Sequence, residues 1–234
     1  MASMEVLAGT SGFSYPQWKG NFYPADLASK KMLGFYAEQL PAVEINNTFY
    51  RMPKASVLEN WLTQVPESFA FAIKASRRIT HMKRLKDCHE ETAYLIETVQ
   101  TLGPRLGALL FQLPPYLRCD RARLAAFLEL LPAEIPAVFE FRHESWLDAS
   151  IISLLREENR PLVWVDQDDT ESTELTATAD WAYLRLRRAG YTPSDLKAWH
   201  QRLADASLER ALVFFKHEDE GAGPQLARAF LDSP

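Results

Sequence analysis

The alternation of short apolar runs with segments of helical periodicity constrains the fold of this chain more than any other feature. Eight apolar runs occur, from residues 7–12 to residues 212–216. Apolar residues at helical spacing follow most of them, as in segments 30–40 and 87–102. Strands that alternate with helices pair in parallel through right-handed crossovers. We therefore predict a single (β/α)₈ TIM-type barrel over residues 1–234, with an open doubly wound sheet as the alternative.

Three local features refine this prediction. Segment 167–180 is polar and threonine-rich and has no helical face, so the helix between strands six and seven is expected to be reduced or missing. The first run ends in GTSGFS, which lacks the G-x-G-x-x-G spacing of a dinucleotide-binding turn and therefore favours the barrel. Residues 1–3 precede a second methionine, Met4, and are consistent with a start-site extension.

Composition argues against several classes of protein. With 26 Lys and Arg residues against 31 Asp and Glu residues, the net charge of −5 disfavours bulk binding to nucleic acid or to an anionic membrane surface. Two cysteines are too few for a disulfide framework, and neither a signal peptide nor an apolar stretch of about 20 residues is visible. We expect a cytoplasmic monomer or weak oligomer without a membrane partner.

Seven of the eight apolar runs end on a charged or amide side chain. These residues are Glu44, Lys74, Gln112, Arg142, Asp166, Arg185 with Arg187, and Lys216. Burial of an unpaired charge costs free energy, and the parallel strands of a barrel bring their carboxyl ends to one face. The pattern therefore predicts a polar pocket at that face. The alternative is a structural network of buried ion pairs.

Side-chain alternation predicts which of these residues share the barrel interior. Glu140 shares a face with Arg142, and Arg185 shares a face with Tyr183. The predicted interior group has three carboxylates, three cations and one amide: Glu44, Lys74, Gln112, Glu140, Arg142, Asp166 and Arg185. We predict a carboxylate as general acid or base, or Lys74 as a nucleophile. The catalytic candidates are Glu44, Lys74, Glu140 and Asp166.

The loops after the strands add candidates for substrate binding. Segment 74–86 holds six Lys or Arg residues and His81, with no acid. This basic segment either attracts an anion such as a phosphate or carboxylate, or pairs with neighbouring acids. The asparagines and aromatics of segment 46–51 suggest polar recognition, or merely a turn. The predicted binding residues are Ser11, Asn46, Tyr50, Arg51, His81, Gln112, Arg142, His143, Trp146 and Arg185.

The sequence contains no recognisable motif for a cofactor. The five histidines show neither H-x-x-x-H nor H-E-x-x-H spacing, so a divalent metal would depend on carboxylates alone. A P-loop and a G-x-S-x-G nucleophile elbow are also absent. We therefore predict no cofactor, with a divalent metal bound by carboxylates as the less favoured alternative.

Several strings of the sequence jointly resemble the YecE-like family, also known as domain of unknown function 72. They run in order from residue 9 almost to the C-terminus and are GTSGFSYPQWKGNFYP, VEINNTFYRMP, FAFAIKASRRITH, LGALLFQLPP, FEFRHESW, YLRLR and FFKHEDEGAGPQLA. The resemblance implies a TIM-type barrel but no reaction, because the family's activity is unassigned. Many members have R-L-H-G after strand seven, where this chain has Arg185-Leu186-Arg187-Arg188 and no histidine. FKHEDE likewise departs from an F-N-N pattern of many members.

Three functions follow from these patterns. The first is an enzyme that acts on a small anionic or sugar-like substrate through carboxylate acid/base chemistry at the strand ends. The second is a nucleic-acid enzyme or binder that uses segment 74–86 on the phosphate backbone. The third is a non-catalytic ligand-binding module, which the fold by itself does not exclude.

Overall fold

The computed structural model of the protein describes residues 4–168, 176–217 and 221–233. Within this part of the chain there are eight β-strands: β1 Glu5–Ser11, β2 Ala42–Ile45, β3 Ala70–Lys74, β4 Leu106–Gln112, β5 Ala137–Glu140, β6 Trp164–Asp166, β7 Trp181–Leu186 and β8 Arg210–Phe215. The α-helices of the same part are α1 Met32–Ala37, α2 Ala55–Leu62, α3 His89–Gln100, α4 Arg121–Leu128, α5 Ala149–Glu157, α6 Pro193–Asp205 and α7 Ala222–Asp232. None of these described helices is long and apolar enough to cross a bilayer.

The eight strands form one parallel sheet that curves into a barrel. Their order is β5-β4-β3-β2-β1-β8-β7-β6, so consecutive strands pair except β5 with β6, and β1 pairs with β8. The remaining gap is bridged where Phe139 N donates to Pro161 O at 3.0 Å and Val163 N donates to Phe139 O at 2.9 Å. The predicted TIM-type barrel is therefore confirmed, and the open-sheet alternative is wrong.

Two apolar layers stabilise the barrel. Its interior is filled by side chains from alternate strand positions, among them Ala72, Leu110 and Phe214. The larger layer lies between the sheet and the helices, where Phe111 stacks on Phe139 at 5.5 Å. Each large side chain buried in this way contributes about 1.5–3 kcal/mol, so the two layers supply the main driving force for closure.

The sequence predicts a reduced or missing helix between β6 and β7. The described residues of this connection, 167, 168 and 176–180, contain no helix, and residues 169–175 lie outside the described part. Thr178 Oγ1 donates to Arg160 O and accepts from Leu162 N, at 2.8 Å in each case. This side chain ties the end of the connection to the start of β6 without a packed helix.

Candidate functional site

A cavity of about 540 Å³ opens at the carboxyl ends of the strands. Its described lining, which we call the cationic cavity, has five cationic side chains, an imidazole, and no carboxylate. The charged and imidazole members are Lys74, Arg142, Arg185, Arg187, Lys216 and His81. The remaining members are polar or aromatic and comprise Ser11, Tyr15, Asn46, Phe49, Tyr50 and Gln112.

Arg185 forms the floor of this cavity between two buried carboxylates. Its Nη1 donates to Glu140 Oε2 at 2.6 Å, and its Nη2 donates to Glu44 Oε1 at 2.8 Å. Arg185 is 1% exposed, so its contacts are little screened by solvent. Burial would lower the pKa of Arg185, but Glu44 and Glu140 outweigh that effect and raise it. The floor is therefore permanently ionised.

Each oxygen of the two carboxylates accepts at least one hydrogen bond. Glu44 Oε1 also accepts from Ser11 Oγ at 2.7 Å, and Glu44 Oε2 accepts from Tyr183 Oη at 2.7 Å. Burial would raise the pKa of Glu44, but Arg185 and these hydrogen bonds lower it to about 2. The pKa of Glu140 is also lowered, because Arg185 again outweighs burial. Both groups are therefore anionic at neutral pH.

Lys74 extends from the end of β3 into the cavity. Its Nζ donates to Gln112 Oε1 at 2.8 Å and lies 4.4 Å from the centre of the Phe49 ring. Gln112 Nε2 in turn donates to Glu140 Oε1 at 2.7 Å, so the amide separates the ammonium from the carboxylate. Burial and the nearby charge of Arg185 lower the pKa of Lys74 to about 8. A fraction of this amine is therefore neutral at physiological pH.

His81 lies beside Lys74 on the wall of the cavity. The π-helical turn Arg78–Met82 holds it there, and its ring contacts the Phe49 ring with centres 4.8 Å apart. Its Nδ1 is 2.9 Å from Thr80 Oγ1. Burial, followed by the charges of Lys74 and Arg142, lowers the pKa of His81. The imidazole is therefore neutral at physiological pH.

Arg187 follows the end of β7, two residues after Arg185, and forms no salt bridge in the described part of the chain, although the charges of Glu140 and Glu44 are close enough to act on it. Its Nε is buried and makes no hydrogen bond there. Burial and the charge of Arg185 lower the pKa of Arg187. A buried guanidinium nitrogen without an acceptor costs free energy, which an anionic ligand in the cavity would recover.

The turn after β1 closes one side of the cavity. Gly12 has φ of +96°, a conformation that favours glycine, and this reverses the chain so that Tyr15 Oη donates to Ser11 O at 2.6 Å. A Cβ on Gly12 would lie 2.6 Å from Tyr15 Oη. The glycine therefore allows Tyr15 to line the cavity.

Exposed apolar side chains surround the entrance. Tyr50, Met82 and Tyr116 are 72%, 66% and 64% exposed. Tyr50 contacts Phe49, and Tyr116 Oη approaches His81 O at 3.5 Å, so both lie beside residues of the cavity wall. Arg77 lies over the Tyr50 ring at 5.7 Å. We call this set, Tyr50, Arg77, Met82 and Tyr116, the aromatic rim.

The family described as "Protein of unknown function DUF72" matches residues 7–233 of the chain. The chain belongs to the DUF72 family. The proteins UPF0759 YunF of Bacillus subtilis (strain 168) and UPF0759 YecE of Escherichia coli (strain K12) are each 32% identical to it, over 134 and 139 residues. These alignments cover 54% and 59% of this chain and 48% of each relative. The chain therefore spans about half the length of the curated relatives it matches.

Two solved DUF72 structures share the fold over nearly the whole chain. The protein from Thermotoga maritima MSB8 has a TM-score of 0.78 and 26% identity, covering 97% of this chain and 98% of its own. The protein from Enterococcus faecalis V583 has a TM-score of 0.78 and 20% identity, covering 98% of this chain and 97% of its own, and shows the fold alone. The DUF72 description assigns no reaction to the family.

Most of the residues predicted for this DUF72 site converge. The described cavity lining includes the predicted Ser11, Asn46, Tyr50, Lys74, His81, Gln112, Arg142 and Arg185. Glu44 and Glu140 lie directly beneath it and contact Arg185. Whether any of them takes part in a reaction stays a prediction. The residue prediction omitted four members of the lining: Tyr15, Phe49, Arg187 and Lys216.

Asp166 does not face the cavity, and its predicted placement is wrong. Val163 and Val165 of the same segment pack inside the barrel, so Asp166 points outward with Trp164. Its Oδ2 accepts from Trp199 Nε1 in α6 at 3.2 Å. The alternation was visible in the sequence, but the prediction considered only the position at the end of the strand.

Three other predicted binding residues also lie away from the cavity. Trp146 is fully buried outside the barrel, where it stacks on Phe141 at 4.6 Å and its Nε1 donates to Leu117 O at 2.7 Å. His143 Nδ1 accepts from Ser145 N at 3.2 Å and so caps a turn. Arg51 is exposed and does not belong to the lining. None of the three belongs to the described lining, and a role for them in binding stays a prediction.

The basic segment 74–86 was predicted either to attract an anion or to pair with neighbouring acids, and different residues of the segment lie in arrangements that fit each. Lys74 and His81 line the cavity. Arg78 and Lys83 instead pair with Glu91 of α3 at 2.9 and 2.8 Å. Within residues 4–168, 176–217 and 221–233, no group of three or more His, Cys, Asp or Glu side chains could hold a metal ion. The predicted absence of a metal or cofactor stays a prediction.

Proposed function

We propose that the protein is an enzyme that binds a small phosphate- or carboxylate-bearing substrate in the cationic cavity. The observation that carries this proposal is the charge of the described lining, which has five cationic side chains and no carboxylate. Two of these cations, Arg187 and Lys74, are partly desolvated and lack a salt bridge in the described residues. An anion would supply the missing acceptors, and this favours an anionic substrate over a neutral sugar.

Proton transfer in this proposal is assigned to Lys74 and His81 instead of the glutamates. Glu44 and Glu140 accept hydrogen bonds at both carboxylate oxygens, and the lowered pKa of each keeps it ionised. Neither therefore has a proton to donate at neutral pH, and neither belongs to the described lining of the cavity. Lys74, with a pKa of about 8, and the neutral imidazole of His81 are suited to exchange protons near neutral pH.

The proposal is tested by titrating the protein with inorganic phosphate in a calorimeter. We expect saturable binding by the wild-type protein and at least about a tenfold weaker affinity in Arg187→Gln, because a charge-assisted hydrogen bond contributes about 1.5–3 kcal/mol. Lys197→Ala, which removes an exposed lysine of α6, is the matched control and should bind as the wild type does. Absence of binding up to about 10 mM phosphate, or equal loss in both variants, would refute the proposal.

Nucleic-acid binding is the second candidate, supported by the aromatic rim and its Arg77. Exposed aromatics beside cations are the features that single-stranded nucleic acids stack on. Arg78 and Lys83 are paired with Glu91, however, so segment 74–86 offers no continuous cationic track. We expect no shift of single- or double-stranded DNA in a gel at about 50 mM salt. Retention that Tyr50→Ala abolishes would favour the nucleic-acid function instead.

A further inference from the structure

We propose that Lys74 captures the carbonyl group of an anionic aldehyde or 2-oxo acid as an imine inside the cationic cavity. This inference rests on the proposed function, because the anionic group of the substrate must first bind to the cations of the lining. It names the class of substrate and the residue that would form a covalent bond with it.

The surroundings of Lys74 suit an amine nucleophile. Its Nζ has a neutral amide oxygen, Gln112 Oε1, as its hydrogen-bond partner and the face of Phe49 as a neighbour. The carboxylates nearby, Glu44 and Glu140, contact Arg185 and do not form a salt bridge with Lys74 in the described residues. A lysine that is desolvated beside other cations loses its proton more readily and becomes nucleophilic.

The geometry also separates the roles of the cationic side chains. Lys74 is half-buried at the end of β3, whereas Arg142 and Lys216 are exposed at the mouth of the cavity. Arg187 cannot act as a nucleophile because a guanidinium stays protonated, but it can bind a carboxylate or phosphate. We therefore assign the anionic group of the substrate to Arg187, Arg142 and Lys216, and its carbonyl carbon to Lys74.

The chemical step needs no oxidant, reductant or further reactant. Neutral Nζ attacks the carbonyl carbon, a C–N bond forms as the C=O π bond breaks, and one of the two Nζ protons is transferred to the carbonyl oxygen to give a neutral carbinolamine. The hydroxyl then leaves as water with one added proton, Nζ loses its remaining proton, and a C=N bond forms. His81, which shares the Phe49 ring with Lys74, is the group available to carry these protons.

The probes for this inference are pyridoxal 5′-phosphate, an aldehyde with a phosphate, and pyridoxal, which lacks it. The protein is incubated with each at pH 7, reduced with sodium borohydride and mapped by mass spectrometry. At this pH about one-tenth of Lys74 is neutral, against well under one-thousandth of an ordinary lysine. We expect pyridoxal 5′-phosphate to label Lys74 at least about tenfold faster than any other lysine. Pyridoxal should react more slowly, and inorganic phosphate should compete.

Two outcomes distinguish failure of this inference from failure of the proposed function. Phosphate binding together with label spread over surface lysines would overturn the imine and leave the anion site standing. Selective labelling of Lys74 by both probes at one rate, without phosphate binding, would overturn the proposed function. In Lys74→Arg the label should disappear, and in Lys197→Arg it should stay on Lys74. The mapping of the wild-type protein tests the site even if the Lys74 variant does not fold.

Discussion

At the scale of single residues, Arg185 decides the electrostatics of the site. It forms salt bridges with both Glu44 and Glu140, two buried carboxylates that would otherwise lack an ion-pair partner. Such a network stabilises the fold only while all its members are present, because removal of one partner leaves a buried charge uncompensated. The same pairing withdraws both glutamates from proton transfer. The cations that remain unpaired then determine which ligands the cavity favours.

Replacement of Arg185 by methionine should destabilise the protein strongly. Arg185→Met keeps most of the side-chain volume but leaves the two carboxylates without a counter-charge, so we expect a loss of about 3–5 kcal/mol in the free energy of unfolding. Urea denaturation followed by circular dichroism measures this change. Arg142→Met, at an exposed position, is the control and should stay within about 0.5 kcal/mol of the wild type. A loss below about 1 kcal/mol in Arg185→Met would contradict the account of a coupled buried network.

At the scale of elements, the pairing of β1 with β2 depends on one small residue. Gly9 lies opposite Ala42, and Tyr36 Oη of α1 reaches the same point, donating to Ala42 O at 2.9 Å. A Cβ on Gly9 would lie only 1.8 Å from Ala42 O, which belongs to the backbone and cannot rotate away. Helix α1 and the first two strands can therefore approach closely only because position 9 has no side chain.

A methyl group at position 9 should loosen this part of the barrel. We expect Gly9→Ala to lower the free energy of unfolding by about 1–3 kcal/mol or more, since strand β2 must move to relieve the overlap. Hydrogen exchange of the β1 and β2 amides should increase together with the loss of stability. Gly190→Ala is the matched control, because a Cβ there would have no atom within 4 Å. Equal free energies of unfolding for Gly9→Ala and Gly190→Ala would contradict this prediction, because the strands would then accommodate the methyl group without loss of stability.

At the scale of the whole molecule, a net charge of −5 coexists with a cavity whose described lining is cationic. The acids are therefore distributed mainly elsewhere, and two of them are buried beneath the cavity. Long-range attraction of polyanions is weak for such a protein, whereas a small anion that enters the cavity experiences local positive charge. This separation of charge is one reason for preferring a small substrate to nucleic acid.

The stability of the whole protein should fall steeply in acid. The pKa of Glu44 is about 2 in the folded state, below its ordinary value of 4.5, so the folded state favours the ionised form. This contribution, on the order of 3 kcal/mol, is complete above about pH 4.5 and is lost as the pH falls towards 2. Glu140 adds to the loss with the same sign. Urea unfolding at a series of pH values from about 6 to about 2 measures this loss.

Glu44→Gln provides the comparison for this pH dependence. The variant has no carboxylate to protonate at this position, so its free energy of unfolding should change less between about pH 4.5 and 2, whatever its value at neutral pH. A wild-type stability that stays constant across this range would contradict the lowered pKa values. Because the comparison uses slopes, it remains informative even if the variant is less stable.

The sequence predicted the architecture well for a physical reason. Alternating strand and helix periods admit few packings, and the eight apolar runs all contain strands of one parallel barrel. Polar residues at strand ends likewise predicted Lys74, Gln112 and Arg185 at the cavity. Arg187 and Lys216 were also identified at strand ends and continue the inward faces of Tyr183 and Phe214, although neither was among the predicted site residues. The error at Asp166 came from the neglect of side-chain alternation along the strand.

What the sequence by itself determined is the order of the elements and which residues stand at the ends of the strands, since both follow from local periodicity. The partner of each charge was decided by the tertiary structure alone. Arg185 meets Glu44 across 141 residues and Glu140 across 45, while Lys74 is left with the amide of Gln112. Such distances between side chains depend on how the barrel closes. The sequence predicted a site built on carboxylates. Closure of the barrel pairs Glu44 and Glu140 with Arg185 and leaves a cavity whose described lining is cationic.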